Sequence, residues 1–342
     1  GKIMKDKINV GIAGIANHGV TIRNAALRSE NINVVYAYDI NNDELQKFAA
    51  EAKCKAAKDY DEIINDPEID AVILVTPNHL HWEQVKKAVD KKKHIFLEKP
   101  ITNFVSEGIE LTNYAKKGGV ILQIGHHMRY RVHYRETKKL IDEKKIGDVV
   151  SFYCNFSHAG GFNPNIPKWK MDKKTCPLLP MMQVGIHFID SINYMVDDVV
   201  RVSCLADSFA MGNGILDSTV ASMQLKNGVV GVLNCHYVIP PIFEYKIFGT
   251  KGTIHVYNSD IMVETYEGDE KKVEKKSIDE AKDSPYYFEV KDFAEKVLTN
   301  GYPEVDGLTG LKALAAIEAM NISVEQKRTV DLDEVFDPKK LI

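Results

Sequence analysis

Long apolar runs are missing from this sequence. Stretches such as Ala71 to Val75 reach only five residues, far short of the ~20 that a membrane helix needs. The start, up to Asn9, is polar and carries no apolar stretch of the kind that marks a secretory signal. Cysteine is scarce. The five residues Cys54, Cys154, Cys176, Cys204 and Cys235 are odd in number, far apart and without a Cys-x-x-Cys pair. That argues against a disulfide framework and against a zinc site, so no metal is expected and a reducing cytoplasm is the simplest compartment. Neither sign of charge is in excess: 44 Lys and Arg stand against 48 Asp and Glu, interspersed, for a net charge of -4. A basic surface for DNA or RNA is therefore not expected. Internal repeats and low-complexity segments are absent too. What is present is an ordinary soluble composition over 342 residues, 44% hydrophobic and 27% charged, which at ~150 residues per domain suggests two domains.

The two halves differ in texture. From residue 7 to about 125, short β-branched runs (Ile8 to Ala13, Asn33 to Asp39, Ala71 to Thr76, His94 to Glu98, Val120 to Gly125) alternate with helical patterns. Continuous apolar strands alternating with helices predict a doubly wound parallel sheet covered on both faces. After about residue 147, Val150, Phe152, Cys154 and Phe156 alternate with polar neighbours, the period of a strand with one buried face. Further alternating runs and tight turns such as Asn227-Gly228 predict a largely antiparallel sheet. Helices are expected at Met181 to Val196, Phe288 to Leu298 and Leu308 to Glu325, giving an α+β domain with an open-faced sheet. Glu267 to Lys276 reads as a solvated hairpin. The expected domains are residues 1–125 and 126–342.

The first chemical signal follows the first strand. Gly14-Ile15-Ala16-Asn17-His18-Gly19 has the form G-x-A-x-x-G, one substitution from the dinucleotide fingerprint. There the glycines give a tight turn, close backbone approach to pyrophosphate and close helix–strand packing. Asp39 ends the second strand twenty residues after Gly19, where a carboxylate would take the adenine-ribose hydroxyls. The following Ile40-Asn41-Asn42 offers no cation for a 2′-phosphate, so NAD(H) is expected ahead of NADP(H).

A second signal lies at the carboxyl ends of the fourth and fifth strands, the edge at which such sheets bind ligands. These are Thr76-Pro77-Asn78-His79-Leu80-His81 and Glu98-Lys99-Pro100. A partly desolvated Lys99 near a cationic nicotinamide would exchange protons or stabilise an alkoxide. His79 and His81 are two apart on a loop, without a nearby third ligand for a metal. In the second half, Gln183, His187 and Asp190 follow i, i+4, i+7 spacing on the helix expected after Pro180, and so would share a face.

These residues resemble the Gfo/Idh/MocA oxidoreductases over nearly the whole chain. The matching elements are Gly14-x-Ala16-x-x-Gly19, Asp39, Thr76-Pro77-Asn78-x-x-His81, Glu98-Lys99-Pro100, Gly125-His126-His127-Met128-Arg129, Gly185-x-His187-x-x-Asp190 and Gly249-Thr250-Lys251-Gly252. The resemblance implies an N-terminal Rossmann domain that holds the cofactor on residues 14 to 19, Asp39, Thr76, Pro77, Asn78, His81, Glu98, Lys99 and Arg129. It implies a second domain that binds a sugar, cyclitol or related polyol and assembles a homodimer or homotetramer through its sheet. Lys99 and His187 then carry the catalysis. Expected substrate contacts, besides these two, are His127, Arg129, Tyr130, Trp169, Gln183 and Asp190, with Tyr286 and Tyr287 as further candidates. One departure is Gln183, where the family often has Asp. An amide orients the His187 ring without adding charge, so proton transfer is expected to be shared with Lys99. Two alternatives stand beside the dehydrogenase: an NAD-dependent glycosidase using transient oxidation, and a non-catalytic sugar or nucleotide sensor.

Overall fold

The computed structural model describes residues 6–278 and 284–342. They group into two compact units. Of these, the first comprises residues 6–127, 284–311 and 338–342, and the second residues 128–278 and 312–337. The sequence reading placed everything after residue 125 in the second domain. In the structure, residues 284–311 and 338–342 group with the first unit.

The first unit holds β1 (Ile8–Ala13), α1 (Gly19–Arg28), β2 (Ile32–Tyr38), α2 (Asn42–Ala52), β3 (Lys55–Ala56), α3 (Tyr60–Asn65), β4 (Ala71–Leu74), α4 (His81–Asp90), β5 (His94–Glu98), α5 (Val105–Gly118) and β6 (Leu122–Gly125). The six strands form one parallel sheet in the order β3-β2-β1-β4-β5-β6. β4 is buried along its whole length, as its unbroken Ala-Val-Ile-Leu run predicts for a strand covered on both faces. Because all six strands run the same way, their carboxyl ends share one edge, and the order reverses between β1 and β4. Ligands of such sheets bind at that reversal.

The returning segment of the first unit carries α8 (Pro285–Thr299). Its Val290, Phe293 and Ala294 belong to the same buried cluster as Val10 and Ile12 of β1 and Ile22 of α1. The Phe293 ring meets Phe96 of β5 edge-on at 5.9 Å. Burying a side chain of this size contributes about 1.5–3 kcal/mol, which is why this distant helix closes one face of the sheet.

The second unit holds α6 (Val132–Asp142), β7 (Val149–Ser157), α7 (Ile186–Met195), β8 (Val199–Asp207), β9 (Ser218–Leu225), β10 (Val230–His236), β11 (Ile242–Gly249), β12 (Gly252–Tyr257), β13 (Asp260–Glu267) and β14 (Glu270–Ser277). After it come α9 (Gly307–Gln326), whose residues beyond Leu311 count with this unit, and β15 (Val330–Asp331). The nine strands pair in the order β14-β13-β12-β11-β7-β10-β9-β8-β15, and every pair is antiparallel except β7 with β10. Period-two burial is plain in β9, where Thr219, Ala221, Met223 and Leu225 are buried while Val220 and Ser222 are exposed. The inward residues meet α7, with Phe188 against Phe152 of β7 at 6.0 Å. The charged stretch expected as a solvated hairpin is the β13–β14 connection and β14 itself, exposed along its length.

Two features differ from the sequence reading. α6 was not expected, and the helix expected over residues 181–196 begins as a separate π-helical turn, Met181–Gly185, before α7. Among the described residues no helix is long and apolar enough to cross a membrane.

Candidate active site

In the first unit the chain leaves β1 through Gly14 with φ +88°, a left-handed conformation that glycine adopts without strain. A Cβ there would sit 2.3 Å from the Val75 carbonyl oxygen, and one on Gly19 would sit 2.2 Å from the Gly14 carbonyl oxygen. The glycines are thus required by the approach of β4 and α1 to the turn. Asn17 takes a left-handed φ of 52°, which its residue type tolerates. His18 precedes α1 and makes no side-chain cap, leaving the first turn of the helix without a side-chain acceptor of its own.

Asp39 is oriented by this same loop. Its Oδ2 accepts from the N–H groups of Ile15 (2.8 Å) and Ala16 (3.0 Å), and its Oδ1 accepts from Asn41 (2.9 Å). A carboxylate has about four lone-pair sites, so after these three bonds Oδ1 retains capacity for a hydroxyl donor. The residues present fit NAD through a fixed carboxylate for a ribose hydroxyl beside a glycine turn that allows close backbone approach, while the first N–H groups of α1, those of Gly19, Val20 and Thr21, already donate to the carbonyls of Ala16, Asn17 and His18. Among the three residues that follow Asp39 there is no cation to balance a 2′-phosphate.

The loops leaving β4 and β5 are tied to each other. Both nitrogens of the fully buried His81 lie against carbonyls, Nε2 at 3.0 Å from Thr76 and Nδ1 at 2.9 Å from Pro100. Burial holds its pKa below the usual histidine range, with those carbonyls and Glu98 working the other way. Asn78 Nδ2 donates to Asn103 Oδ1 (3.2 Å), and Thr76 Oγ1 donates to Gln84 Oε1 (2.5 Å). These expected cofactor contacts are engaged with the protein itself: they fix the two loops, of which Pro77 and the half-buried Lys99 are part.

Glu98 is buried. Its Oε2 accepts from the Lys99 backbone N–H at 3.1 Å, and its Oε1 faces His18 Nε2 at 3.5 Å. Burial acts to raise its pKa, yet the charges of His18, Lys99 and His126 together hold it below the usual glutamate range. Close by, Tyr286 stacks on the buried His127 (4.1 Å, 22°) and meets the His18 ring edge-on at 5.7 Å.

In the second unit, Arg129 and Asp190 find one another. Arg129 Nη2 and Nε donate to the two carboxylate oxygens at 2.7 and 3.2 Å, and the guanidinium lies over the Tyr194 ring at 5.0 Å. Asp190 is 1% exposed. Its carboxylate is neutralised within the unit, and so is the Arg129 charge that the resemblance assigned to cofactor and substrate. His187, the second residue of α7, is buried, with its ring 6.3 Å from Phe156. The π-helical turn changes the spacing on which Gln183 and His187 were aligned, since its bonds run i to i+5. The Gln183 amide donates to Cys176 Sγ at 3.6 Å. Tyr130 lies under Arg135 (5.1 Å), and Trp169 under the amine of Lys170 (5.5 Å). Burial pushes the Lys170 pKa below the usual lysine range, with Cys176 opposing.

Sequence reasoning passed over Glu289 and Cys176. Glu289 lies on a helix whose other charges are half-buried or exposed, and Cys176 lies in a loop without periodicity. Neither carries a local signal. Among the described residues no group of three or more His, Cys, Asp or Glu is placed to hold a metal ion.

Two family models match the chain. One, described as an oxidoreductase family with an NAD-binding Rossmann fold, covers residues 8–126, and the corresponding C-terminal domain covers residues 134–255. The chain belongs to the Gfo/Idh/MocA oxidoreductase family. Myo-inositol 2-dehydrogenase of Thermotoga maritima is 26% identical over 349 residues, covering 96% of this chain and all of that one. The 2,7-anhydro-N-acetylneuraminate hydratase of Escherichia coli is 28% identical over 264 residues, covering 73% of this chain and 67% of the hydratase. The solved structure of a levoglucosan dehydrogenase in complex with NADH and levoglucosan superposes with a TM-score of 0.86. It is 20% identical, with 95% of this chain and 99% of that one covered, and it shares the fold.

Proposed function

We propose that this family member is an NAD-dependent dehydrogenase acting on a secondary alcohol of a sugar, cyclitol or related polyol, or on the matching ketone in reverse. The observation that carries the reading is in the first unit. The Gly14–Gly19 turn with its Asp39 anchor and the Glu98-Lys99-Pro100 loop leave parallel strands at the same edge of one sheet. A lysine there is well placed to serve a substrate alcohol beside a dinucleotide. The relatives named as inositol and levoglucosan dehydrogenases support the substrate class.

Bound at this loop, NAD supplies the hydride acceptor. Asp39 orients the ribose and favours NAD over its 2′-phosphorylated counterpart. Lys99 presents an ammonium to the substrate oxygen as negative charge develops there, and it shares with His187 the removal of the hydroxyl proton. Gln183 orients this part of the second unit without adding a charge. A homodimer or homotetramer through the nine-stranded sheet, and a cytoplasmic location, complete the proposal.

The test is a panel of polyols and sugars with NAD and with NADP, followed at the nicotinamide absorbance. Steady NADH production with at least one polyol, faster with NAD than with NADP, is the expected result. The relative named as a hydratase keeps a second reading in view, namely transient oxidation with elimination. Product formation without net NADH selects that reading. Tight NAD binding with silence across the panel selects a sensor.

A further inference from the structure

Glu289 lies on α8, one turn beyond Tyr286 and on the same face, three residues on. It is fully buried, and neither of its carboxylate oxygens has a hydrogen-bond partner among the described residues. Gln123 of β6 donates its amide N–H to the Glu289 backbone carbonyl at 2.8 Å, while the Gln123 Oε1 is buried without a donor. The Glu98 Oε1, buried too, has His18 only at ion-pair range. None of the donors in this part of the first unit, the His126 and His127 rings included, reaches the Glu289 carboxylate oxygens. A carboxylate in that setting carries an uncompensated charge, whereas one added proton turns it into a donor.

The groups around it agree. α8 packs on α1, β1 and β5. The titratable or charged side chains of these elements and their ends are His18, Arg23 and Arg28 on the α1 side, Lys93, His94, Glu98 and Lys99 along β5 and its ends, and Lys7 just before β1, which itself has none. His126 and His127 follow β6, and Lys291, Asp292, Glu295 and Lys296 lie further along α8 itself. Burial is the main force that raises the Glu289 pKa well above the usual glutamate range, and the charge of Glu98 adds to it.

We propose that Glu289 is a neutral carboxylic acid in the working protein, and that by withholding a second negative charge it reserves the single charge of Glu98 for Lys99 and His18. It is a positioning residue that acts through Glu98. Its link to turnover rests on the dehydrogenase reading above, whereas its proton does not. When Glu289 ionises, a second buried anion beside Glu98 competes for the same cations.

The infrared spectrum of the full-length protein at neutral pH is expected to contain a protonated-carboxyl stretch that Glu289→Gln abolishes. Glu289→Met, which has no titratable group, serves if the amide variant does not fold. Carboxyl 13C resonances of the wild-type protein, with one glutamate still protonated at pH 7, give the same answer without a variant. In turnover, the alkaline limb of the activity–pH profile is expected to move upward by at least about one unit in Glu289→Gln. Absence of a protonated glutamate at neutral pH, or a band that survives the substitution, overturns the proposal. An alkaline limb identical in the two proteins overturns the link through Glu98. The spectroscopic result decides the proton independently of turnover, and NADH formation decides the dehydrogenase reading separately.

Discussion

Lys99 is the side chain on which the proposed chemistry turns. Its own N–H is held by Glu98 Oε2, so the residue is anchored at the backbone while the ammonium remains on a four-carbon stem. Lys99→Met keeps the stem and removes the charge and the proton. It is expected to lower kcat by ~10²–10⁴, while NADH binding, read by fluorescence titration, stays close to wild type. An undiminished kcat would remove Lys99 from the proposal. Gln183 gives a second test. A carboxylate at this position would favour the imidazolium of His187, so Gln183→Asp is expected to move the acid limb of alcohol oxidation to higher pH. An unmoved profile, with His187 still needed for turnover, counts against shared proton transfer. Residue type and spacing were enough to single out Lys99, His187 and Asp39. They did not reveal that Asp39 is already bound by the N–H groups of Ile15 and Ala16, or that Arg129 and Asp190 neutralise each other. Those pairings depend on three-dimensional proximity across 23 to 61 residues of chain.

At the scale of elements, the turn after β1 is the tightest constraint. Gly14→Ala would place a methyl 2.3 Å from the Val75 carbonyl oxygen in a left-handed backbone. Such strain costs about 1–3 kcal/mol, and relieving it pushes β4 away from the loop. Urea melts are expected to show that loss, with a parallel drop in NAD affinity by calorimetry. Unchanged stability and affinity would mean that the turn tolerates the displacement. Most elements were legible, because β-branched runs and period-two alternation are local signals. The π-helical turn was not, since Met181, Met182 and Val184 fit a π-turn and an α-turn equally well. The place of α8 was equally hidden. Its periodicity announces a helix, while the choice of sheet depends on Phe293 meeting Phe96. For the same reason Glu289 reads from sequence as one more solvated helix charge.

Over the whole molecule, two groups of the first unit give stability opposite dependences on pH. His94 Nδ1 accepts the Ile121 N–H at 3.0 Å, a bond that requires this nitrogen unprotonated. Burial holds the His94 pKa below its usual value, with Asp70 opposing. Below about pH 6.5 the unfolded chain binds a proton that the native state refuses. This contribution is therefore complete above that pH and is lost as pH falls toward the native value. Glu289 acts the other way. Its native pKa is raised, so above about pH 4.3 the unfolded chain has released a proton that the native state keeps, and stability falls as pH rises. Just below about pH 6.5 the two slopes oppose; above it, of these two, only the glutamate slope remains. His94→Asn retains an acceptor for Ile121 without titrating, so urea melts between pH 5 and 9 should show a flatter acid side. Glu289→Gln should instead flatten the neutral and alkaline side. Each change in slope is at most about 1.4 kcal/mol per pH unit, the value for one proton. Curves that run parallel to wild type in both variants would mean that neither group titrates differently on folding.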